Sequence, residues 1–461
     1  MTRPTSPTRA PRERVLVTGV RFTEIDGAPV DEDLSEACGL VAAAEADVVG
    51  DLVLQKKPRP DPATLFGSGK VDEIRLEIDR LHPDAVVVDN DLTPAQGRNL
   101  EKAWGLRIID RSELILDIFA RRARTRQARL QVELAQNEYI APRLRRMWTH
   151  LERHEGAIGT RGPGETQLET DKRLLRKRIQ ELRDELAEIE ARKQREVRSR
   201  SDFFTIGLVG YTNAGKSTLL NALTGADELV ADMLFATLDT RTRQWRLSDG
   251  RTVLLSDTVG FLQRLPHHLV ASFHATLEET LHADLLLHVV DASHPHAADQ
   301  MAAVDSVLRS LSFHTRGGIV VFNKVDRVAD RIGLQALSRG LEADVIYVSA
   351  HTREGLDRLD ESVRRRLDAR SFLVDIHMPI ADGRLDSNVR RLCTPIEDET
   401  DAETGMHRLR VRLTEGALGN LRRAAGSGAR FEILRGPTPE ASQVDAADAP
   451  DAAERRRRHG V

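Results

Sequence analysis

The chain has 461 residues, of which 40% are hydrophobic and 30% charged, and its formal net charge is −4. This length predicts about three folded units. Aromatic residues make up only 4%, which argues against a nucleic-acid interface built mainly on base stacking. Two cysteines, Cys38 and Cys393, are too few for a disulfide framework and favour a reducing, cytoplasmic compartment. No apolar run approaches the ~18 residues that span a bilayer, so we expect no integral membrane association.

The N-terminal region predicts a short tail followed by an α/β domain. Residues 1–14 are rich in Thr, Pro and Arg, and we expect them to be disordered. From 15 to 120, short apolar runs alternate with helix-period stretches, which is typical of a parallel sheet covered by helices. The predicted strands are 15–17, 48–54, 85–88 and 107–109, and the predicted helices are 34–46, 71–81 and 94–104.

Residues 121–201 lack strand signals and predict a long antiparallel helical hairpin. One helix is predicted over 121–155, with a kink or break at Pro142. A glycine-rich stretch at 156–164 predicts the tip loop, and the capping-box spacing of Thr166 and Glu169 predicts the start of the second helix. The seam between the two helices is predicted from apolar residues at spacings of mostly three and four. They are Leu168, Leu175, Ile179, Leu182, Leu186 and Ile189.

The remaining chain predicts two more folded units, so the fold class is multidomain α/β. Residues 202–370 again alternate strand and helix, which predicts a parallel sheet with helices on both faces. Residues 371–436 predict a small α+β C-terminal domain, with strands at 372–376, 408–413 and 431–434. Residues 437–461 are rich in Ala, Asp and Pro and end in a basic run, so we expect a second disordered tail.

The strongest chemical signal is a glycine-rich loop between the apolar strand 204–209 and a helix pattern at 218–223. This context is the one that a phosphate-binding loop requires. Its glycines allow backbone N–H groups to turn inward around a polyphosphate. We predict that Lys216 neutralises the β- and γ-phosphates and that the Ser217 hydroxyl coordinates Mg²⁺. The predicted loop consists of Gly210, Tyr211, Thr212, Asn213, Ala214, Gly215, Lys216 and Ser217.

A second loop is expected beside the phosphates. Asp257 ends an apolar strand, where we predict that it holds Mg²⁺ through water. The loop continues through Thr258 and Val259 to Gly260, whose N–H is predicted to meet the γ-phosphate. Lys216 and Gly260 are therefore candidate catalytic residues.

The last Mg²⁺ ligand must come from the chain between Ser217 and Asp257. Thr237 is our choice and completes the candidate catalytic set, with Thr240 and Thr242 as alternatives by composition. The segment around it that we assign to the nucleotide site is Phe235, Ala236, Thr237, Leu238 and Asp239.

Two further loops predict that the base is guanine. In Asn323-Lys324-Val325-Asp326, the Asp326 carboxylate can accept hydrogen bonds from the ring N–H and exocyclic amine of guanine. Adenine would leave that carboxylate unpaired, which gives strong discrimination. We expect Asn323 to brace the loop and the Lys324 stem to lie along the base. Ser349-Ala350-His351, after a further strand, can offer a backbone N–H to the guanine oxygen.

The residue after Gly260 is Phe261, which cannot orient the attacking water as the glutamine of Ras-like enzymes does. We therefore hypothesise slow intrinsic hydrolysis, with the water positioned by a partner or a bound ion. Asn213 can help to hold a monovalent cation such as K⁺, or it can simply shape the loop. Both interpretations stay open.

Beyond the nucleotide motifs, the chain resembles the HflX-type ribosome-associated GTPases from about 15 to 368. The most distinctive stretch is Arg161-Gly162-Pro163-Gly164-Glu165-Thr166-Gln167-Leu168-Glu169. The other matching stretches are 66–73, 92–101, 110–120, 130–135, 235–239 and 257–261. The resemblance favours Thr237 as the Mg²⁺ ligand. The chain departs from the family at Thr240, where a proline is usual, and at His351.

This resemblance implies binding to the large ribosomal subunit and its rRNA, stimulation of GTP hydrolysis by ribosomes, and a role in ribosome splitting, rescue or biogenesis. It implies a cytoplasmic protein that is partly ribosome-bound, and we expect a monomer. Nine arginines against three glutamates between 121 and 153 agree with an RNA contact. The candidate RNA contacts are Arg143, Arg145, Arg146, Arg161, Gly162 and Gly164.

Several alternatives stay open. The charge run can be a solvated helix face, and the glycines of the tip can merely reverse the chain. Phe261 keeps open a second hypothesis, a nucleotide-gated scaffold with negligible hydrolysis. Gly67-Ser68-Gly69-Lys70 can be a structural turn, a contact to RNA phosphate, or part of an ATP-linked RNA-remodelling activity. A membrane-linked signalling GTPase is disfavoured because the chain has no lipidation motif.

Overall fold

The computed structural model describes most of the chain in two compact units. The described residues are 12–23, 34–144, 163–199, 203–226, 234–235, 241–257, 260–262, 283–310, 318–328, 331–339, 341, 343–401, 404–426 and 428–437. The first unit is Met1–Glu190 with Ala231–Asp239 and Arg264–Ala275. The second unit is Ala191–Val230 with Thr240–Gln263 and Thr276–Val461.

The first unit contains a parallel sheet in the order β2-β1-β4-β5, with β3 also pairing with β1. Its strands are β1 (Arg14–Phe22), β2 (Asp47–Val48), β3 (Val53–Lys57), β4 (Ala85–Val88) and β5 (Arg107–Asp110). The single strand predicted at 48–54 is wrong. Gly50 has a φ of +73° and separates β2 from β3. The two short strands pair with opposite ends of the nine-residue β1.

Helices pack onto this sheet at the predicted places. They are α1 (Ser35–Ala43), α2 (Ser68–Leu81) and α3 (Pro94–Trp104). A fourth helix, α4 (Arg111–Arg122), is not among the predicted ones. Local sequence sets the bounds of α3: Thr93 and Gln96 form a capping box, Pro94 occupies the first turn, and Gly105 ends the helix with a φ of +70°. The core between helices and sheet includes Phe66, whose ring packs against Trp104.

Two further helices form the hairpin, but their starts differ from the prediction. They are α5 (Arg126–Ile140) and α6 (Pro163–Ser199). The helix predicted to begin at Arg121 is interrupted, because α4 ends at Arg122 and Thr125 caps α5 by accepting a hydrogen bond from the Ala128 N–H. The predicted capping box at Thr166 does not start α6. Instead the helix begins at Pro163, a residue suited to the first helical position because it needs no N–H partner there.

The seam between α5 and α6 is apolar, as predicted. Leu182 is fully buried against Leu130 and Leu134, and Ile179, Leu186 and Ile189 flank this cluster. Three ion pairs cross the seam, namely Arg126–Glu185, Arg178–Glu133 and Arg183–Glu138. Exposed pairs of this kind contribute at most about 1 kcal/mol each, so the apolar seam holds the helices together.

We expect Leu182→Ala to loosen the hairpin by about 2–5 kcal/mol, because the substitution removes a fully buried side chain. Hydrogen exchange of the α5 and α6 amides measures this opening free energy directly. Leu174→Ala is the matched control on the same helix, since the Leu174 side chain is 57% exposed. Equal exchange in the two variants would contradict the assigned seam.

The second unit contains a six-stranded sheet in the order β11-β10-β9-β6-β8-β7. Its strands are β6 (Phe204–Gly210), β7 (Arg241–Arg246), β8 (Thr252–Asp257), β9 (Leu285–Asp291), β10 (Ile319–Asn323) and β11 (Asp344–Tyr347). The sheet is parallel, as predicted, apart from the pairing of β7 with β8, which is antiparallel.

Helices cover both faces of this sheet, as predicted. They are α7 (Lys216–Thr224), α8 (Ala297–Ser310), α9 (Arg331–Ser338) and α10 (Leu356–Ala369). One core cluster, on one face, contains Leu208, Leu219 and Val363. A second cluster contains Met301 and Phe322. Strand β6 lies in the interior of this sheet, so its C-terminal end lies near the middle of the sheet edge.

The C-terminal part of this unit has the element order βαββαβ. Its elements are β12 (Phe372–Pro379), α11 (Gly383–Leu392), β13 (Glu397–Asp401), β14 (Met406–Leu413), α12 (Glu415–Ala424) and β15 (Arg430–Arg435). The sheet is antiparallel in the order β13-β14-β12-β15, and both helices contribute to its core. Asp375 pairs with Arg408 and Arg410 across β12 and β14.

Candidate functional site

The glycine-rich loop connects β6, at the centre of the second sheet, to α7. Gly210 and Gly215 are required by close packing. A Cβ at Gly210 would lie 2.2 Å from the Val289 carbonyl oxygen, and one at Gly215 would lie 2.3 Å from Asn323 Nδ2. Gly215 also has a φ of +89°. The loop can therefore curl tightly between the strand and the helix only with glycine at these positions.

Lys216 lies inside this curl. Its Nζ donates to the carbonyl oxygens of Gly210 at 3.0 Å and Tyr211 at 2.8 Å. Burial lowers the Lys216 pKa to about 8, although the nearby Asp257 carboxylate favours the charged form. The ammonium is thus held at the place where backbone N–H groups of the loop can meet a polyphosphate.

Ser217 and Asp257 form a pair of oxygen donors beside the loop. The Ser217 hydroxyl donates to Asp257 Oδ2 at 2.6 Å, and Asp257 is fully buried at the end of β8. A hydroxyl and a carboxylate are the hard oxygen ligands that Mg²⁺ prefers, so these residues fit a magnesium site. Among the residues that the structure describes, no group of three or more His, Cys, Asp or Glu side chains is placed to hold a metal.

The segment after β8 packs directly against the glycine-rich loop. Phe261 N–H donates to the Gly210 carbonyl, and Thr212 N–H donates to the Phe261 carbonyl at 2.7 Å. A Cβ at Gly260 would lie 2.7 Å from Thr212 Cα and 3.1 Å from Lys216 Nζ. Gly260 therefore has no room for a side chain. The Phe261 ring is 2% exposed, so it is directed into the protein and not toward water.

Asn323 connects three loops at this sheet edge. Its Nδ2 donates to the Ala214 carbonyl and its Oδ1 accepts from the Ala350 N–H, both at 3.0 Å. The side chain is 1% exposed, so both hydrogen bonds are shielded from water. The Ala350 N–H is thus engaged by Asn323 in this structure.

The Asp326 carboxylate is exposed next to these loops. A hydrogen bond with the Ser349 side chain lowers the Asp326 pKa below its ordinary value, and partial burial opposes this shift. The group is therefore ionised at neutral pH and available as an acceptor. His351, from the same predicted segment as Ser349, is also exposed.

Phe235 belongs to the first compact unit. Its ring packs edge-on against Phe119 with the centroids 4.6 Å apart, and it is 2% exposed. The predicted nucleotide residues Ala236, Thr237, Leu238, Asp239, Thr258 and Val259 lie outside the described residues. Their assignment therefore stays a prediction.

The structure describes two of the six candidate RNA contacts, Arg143 and Gly164. Arg143 donates to the Leu92 carbonyl at 2.7 Å and to Asp110 at 3.0 Å, and its guanidinium stacks on Tyr139. These internal contacts occupy Arg143, so we no longer assign it to RNA. Gly164, which was predicted to end the tip loop at 156–164, lies inside α6, because this helix begins at Pro163. The candidates Arg145, Arg146, Arg161 and Gly162 lie outside the described residues.

Two residues near the site were missed by sequence analysis. Asp291 ends β9 and contacts Lys324 at 2.7 Å. His288 lies in β9 opposite Val209 of β6 and is buried. Burial is the main cause that lowers the His288 pKa to about 4, and the charge of Lys216 lowers it further. A histidine inside an apolar run gives no sequence signal of this kind. An Asp at the end of a strand does give a sequence signal, but Asp291 belongs to no recognised motif.

Three family models match consecutive parts of the chain. They are described as the GTP-binding GTPase N-terminal region over 31–120, the GTP-binding GTPase middle region over 122–200, and 50S ribosome-binding GTPase over 205–324.

Individual proteins also match over most of their length. GTPase HflX of Magnetococcus marinus is 49% identical over 70% of this chain and 75% of the relative. GTPase HflX of Escherichia coli is 43% identical over 87% of this chain and 93% of the relative. A GDP-bound GTP-binding protein of Sulfolobus solfataricus is 23% identical over 76% of this chain and 98% of that chain, with a TM-score of 0.41.

Three elements lie at the ends of parallel strands of one sheet: the phosphate loop (210–217), the oxygen donors Ser217 and Asp257, and the base loop (323–326). This arrangement defines a P-loop GTPase. The identity and coverage of the relatives go further. The chain belongs to the HflX family of GTPases, as the sequence resemblance predicted. Within the described part of the chain, no helix combines the length and apolarity needed to cross a membrane.

We expect Asn323→Ala to destabilise the nucleotide-free protein by about 1–3 kcal/mol for each partner it leaves unsatisfied, because both partners are buried. Urea unfolding followed by tryptophan fluorescence measures the loss. Asn137→Ala, which removes one hydrogen bond to the carbonyl four residues earlier on α5, is the milder control. An Asn323→Ala protein as stable as the control would contradict the bracing role.

His288 should make the fold sensitive to acid. Its folded pKa of about 4 lies below the value of 6.5 for an ordinary histidine. The unfolded chain therefore binds a proton between pH 6.5 and 4 that the folded chain does not, and stability falls over this window by up to about 3 kcal/mol. We expect His288→Met to flatten the dependence of the unfolding free energy on pH between 6.5 and 4. An unchanged slope would exclude this residue as its source.

Proposed function

We propose that this GTPase acts on the large ribosomal subunit, in ribosome splitting, rescue or biogenesis during protein synthesis. The observation that carries this proposal is the match of its GTPase region to the 50S ribosome-binding GTPase model over 205–324. The hairpin supports it, since α6 exposes Arg173, Arg176 and Lys177 on a long helix that can follow RNA phosphates. We expect a cytoplasmic monomer that is partly ribosome-bound.

The geometry of the described loops supports the following proposed roles in nucleotide binding. Lys216 neutralises the β- and γ-phosphates, and the Gly260 N–H meets the γ-phosphate. Ser217 and Thr237 would hold Mg²⁺ directly, and Asp257 would hold it through water. The bound ion would neutralise charge on the phosphate oxygens. Hydrolysis then releases the two loops that the γ-phosphate holds, which is the switch common to GTPases.

Base selection is assigned to the neighbouring loops. The exposed, ionised Asp326 accepts from the ring N–H and exocyclic amine of guanine, and the Lys324 stem lies along the base. Asn323 keeps the base loop and the phosphate loop in register through its two hydrogen bonds. The Ser349 N–H donates to the Glu354 carbonyl and the Ala350 N–H donates to Asn323, so the backbone N–H of His351 is the proposed donor to the guanine oxygen.

Hydrolysis by the isolated protein should be slow, because the buried Phe261 side chain cannot orient water. Two sources of help are proposed. One is the ribosomal subunit. The other is a K⁺ ion held near the exposed Asn213, which has a φ of +59° in the phosphate loop. An ATP-linked activity near Gly67–Lys70 stays a secondary candidate, since these residues lie at the N-terminus of α2.

We expect GTP turnover to rise by at least about ten-fold on adding large ribosomal subunits at fixed Mg²⁺ and K⁺, which lowers the barrier by about 1.4 kcal/mol. Turnover is measured as phosphate release with excess GTP. Addition of small subunits alone is the control. Equal, negligible turnover in all three conditions would favour the nucleotide-gated scaffold.

Binding is tested on the same material by co-sedimentation with a non-hydrolysable GTP analogue. The double variant Arg173→Ala, Arg176→Ala should bind more weakly, and its plot of log affinity against log salt should be shallower by about 1–2. Arg358→Ala, Arg365→Ala on α10 is the matched control, because it removes two exposed arginines from another helix. Equal affinity and slope in both variants would remove the hairpin from the ribosome contact.

A further inference from the structure

The ammonium of Lys324 has a defined partner at this sheet edge. Lys324 follows β10 with a φ of +63°, and its Nζ lies 2.7 Å from Asp291 Oδ2. The Lys324 and Asp291 side chains are 17% and 13% exposed. A pair this shielded is stronger and more directional than a surface ion pair.

Asp291 is itself held in place from two sides. It ends β9 opposite Asn323 of β10, and the Ala292 N–H donates to the Asn323 carbonyl at 2.9 Å. Its Oδ1 accepts from both the N–H and the hydroxyl of Ser293, at 3.0 and 2.6 Å. One carboxylate oxygen therefore fixes the Asp291 side chain, and the other contacts Lys324.

This anchor leaves the Lys324 stem extended beside the phosphate loop. Lys324 Cε lies 3.8 Å from the position that a Cβ at Gly215 would take. A free lysine would have to give up many rotamers to lie along a base, and that loss would weaken binding. Here the end of the side chain is already fixed, so less rotamer freedom is left to lose on binding.

We propose that Asp291 is a positioning residue for guanine recognition, which holds the Lys324 ammonium so that the lysine stem is preformed for the purine ring. This inference rests on the base-pocket roles proposed above for Lys324 and Asp326. The contact involves the base and no phosphate. Loss of the Asp291 carboxylate therefore weakens the binding of GTP and the binding of GDP by the same factor.

The test is Asp291→Asn in the full chain. We expect its dissociation constants for fluorescent GDP and for a non-hydrolysable GTP analogue to rise equally, by about ten-fold. KM for GTP rises with them, while kcat at saturating GTP is unchanged, because the lost contact is the same in ground and transition states. Asp291→Glu, which keeps the charge, should recover part of the affinity. Asp299→Asn is the control on α8, since the Asp299 side chain is more exposed and pairs with His296.

A double-mutant cycle separates positioning from general stability. In a Lys324→Met background, Asp291→Asn should cause no further loss of affinity, because its effect passes through Lys324. A full ten-fold loss in that background overturns the proposal. So does a lower melting temperature of Asp291→Asn with unchanged nucleotide affinity.

The proposed base pocket is checked separately in the same series. Asp326→Asn should abolish most of the preference for guanine over adenine nucleotides. If Asp326→Asn leaves that preference intact, the base pocket itself is wrong. If Asp326→Asn removes the preference while Asp291→Asn binds like the wild type, only the role of Asp291 is wrong.

Discussion

The nucleotide site depends on the Asn323 side chain. Its amide donates to the phosphate loop at Ala214 and accepts from the next loop at Ala350, while its backbone continues β10. One buried residue thus sets the distance between the loop that binds phosphate and the loop that selects the base. Because the guanine base and the phosphates are covalently joined in one nucleotide, both loops must lie within its reach, and this distance decides whether both ends can be held together.

Parallel strands explain why such distant segments meet. β6, β8, β9 and β10 are parallel neighbours, so their C-terminal ends lie along one edge of the sheet. Lys216 follows β6, Asp257 ends β8, Asp291 ends β9 and Asn323 ends β10. The chemistry is therefore a property of the sheet edge, and ligands of open α/β sheets bind in that position.

Sequence patterns predicted those parts of the structure that are set locally. α3 matches its predicted bounds because its cap, its first-turn proline and its terminal glycine are all present in the sequence. The phosphate loop was predictable for the same reason, since close approach demands glycine at 210 and 215. The start of α5 was missed, because Thr125 interrupts a run whose helix propensity is otherwise continuous.

Other features depend on tertiary contacts that a sequence does not display. Arg143 resembled a free basic residue, yet it is engaged by Leu92 and Asp110, which are distant in sequence. The antiparallel β7 depends on strand pairing at the sheet edge. The Asp291–Lys324 contact needs β9 and β10 to be neighbours, an order that spacing alone cannot give.

Guanine selection at this sheet edge is tested most directly by competition on the wild-type chain. Fluorescent GDP is bound with Mg²⁺ present, and unlabelled GTP or ATP is added. GTP should displace the label at comparable concentration, and ATP should fail to do so even at about a thousand-fold excess, a difference of about 4 kcal/mol. Displacement by ATP at concentrations similar to those of GTP would contradict the account.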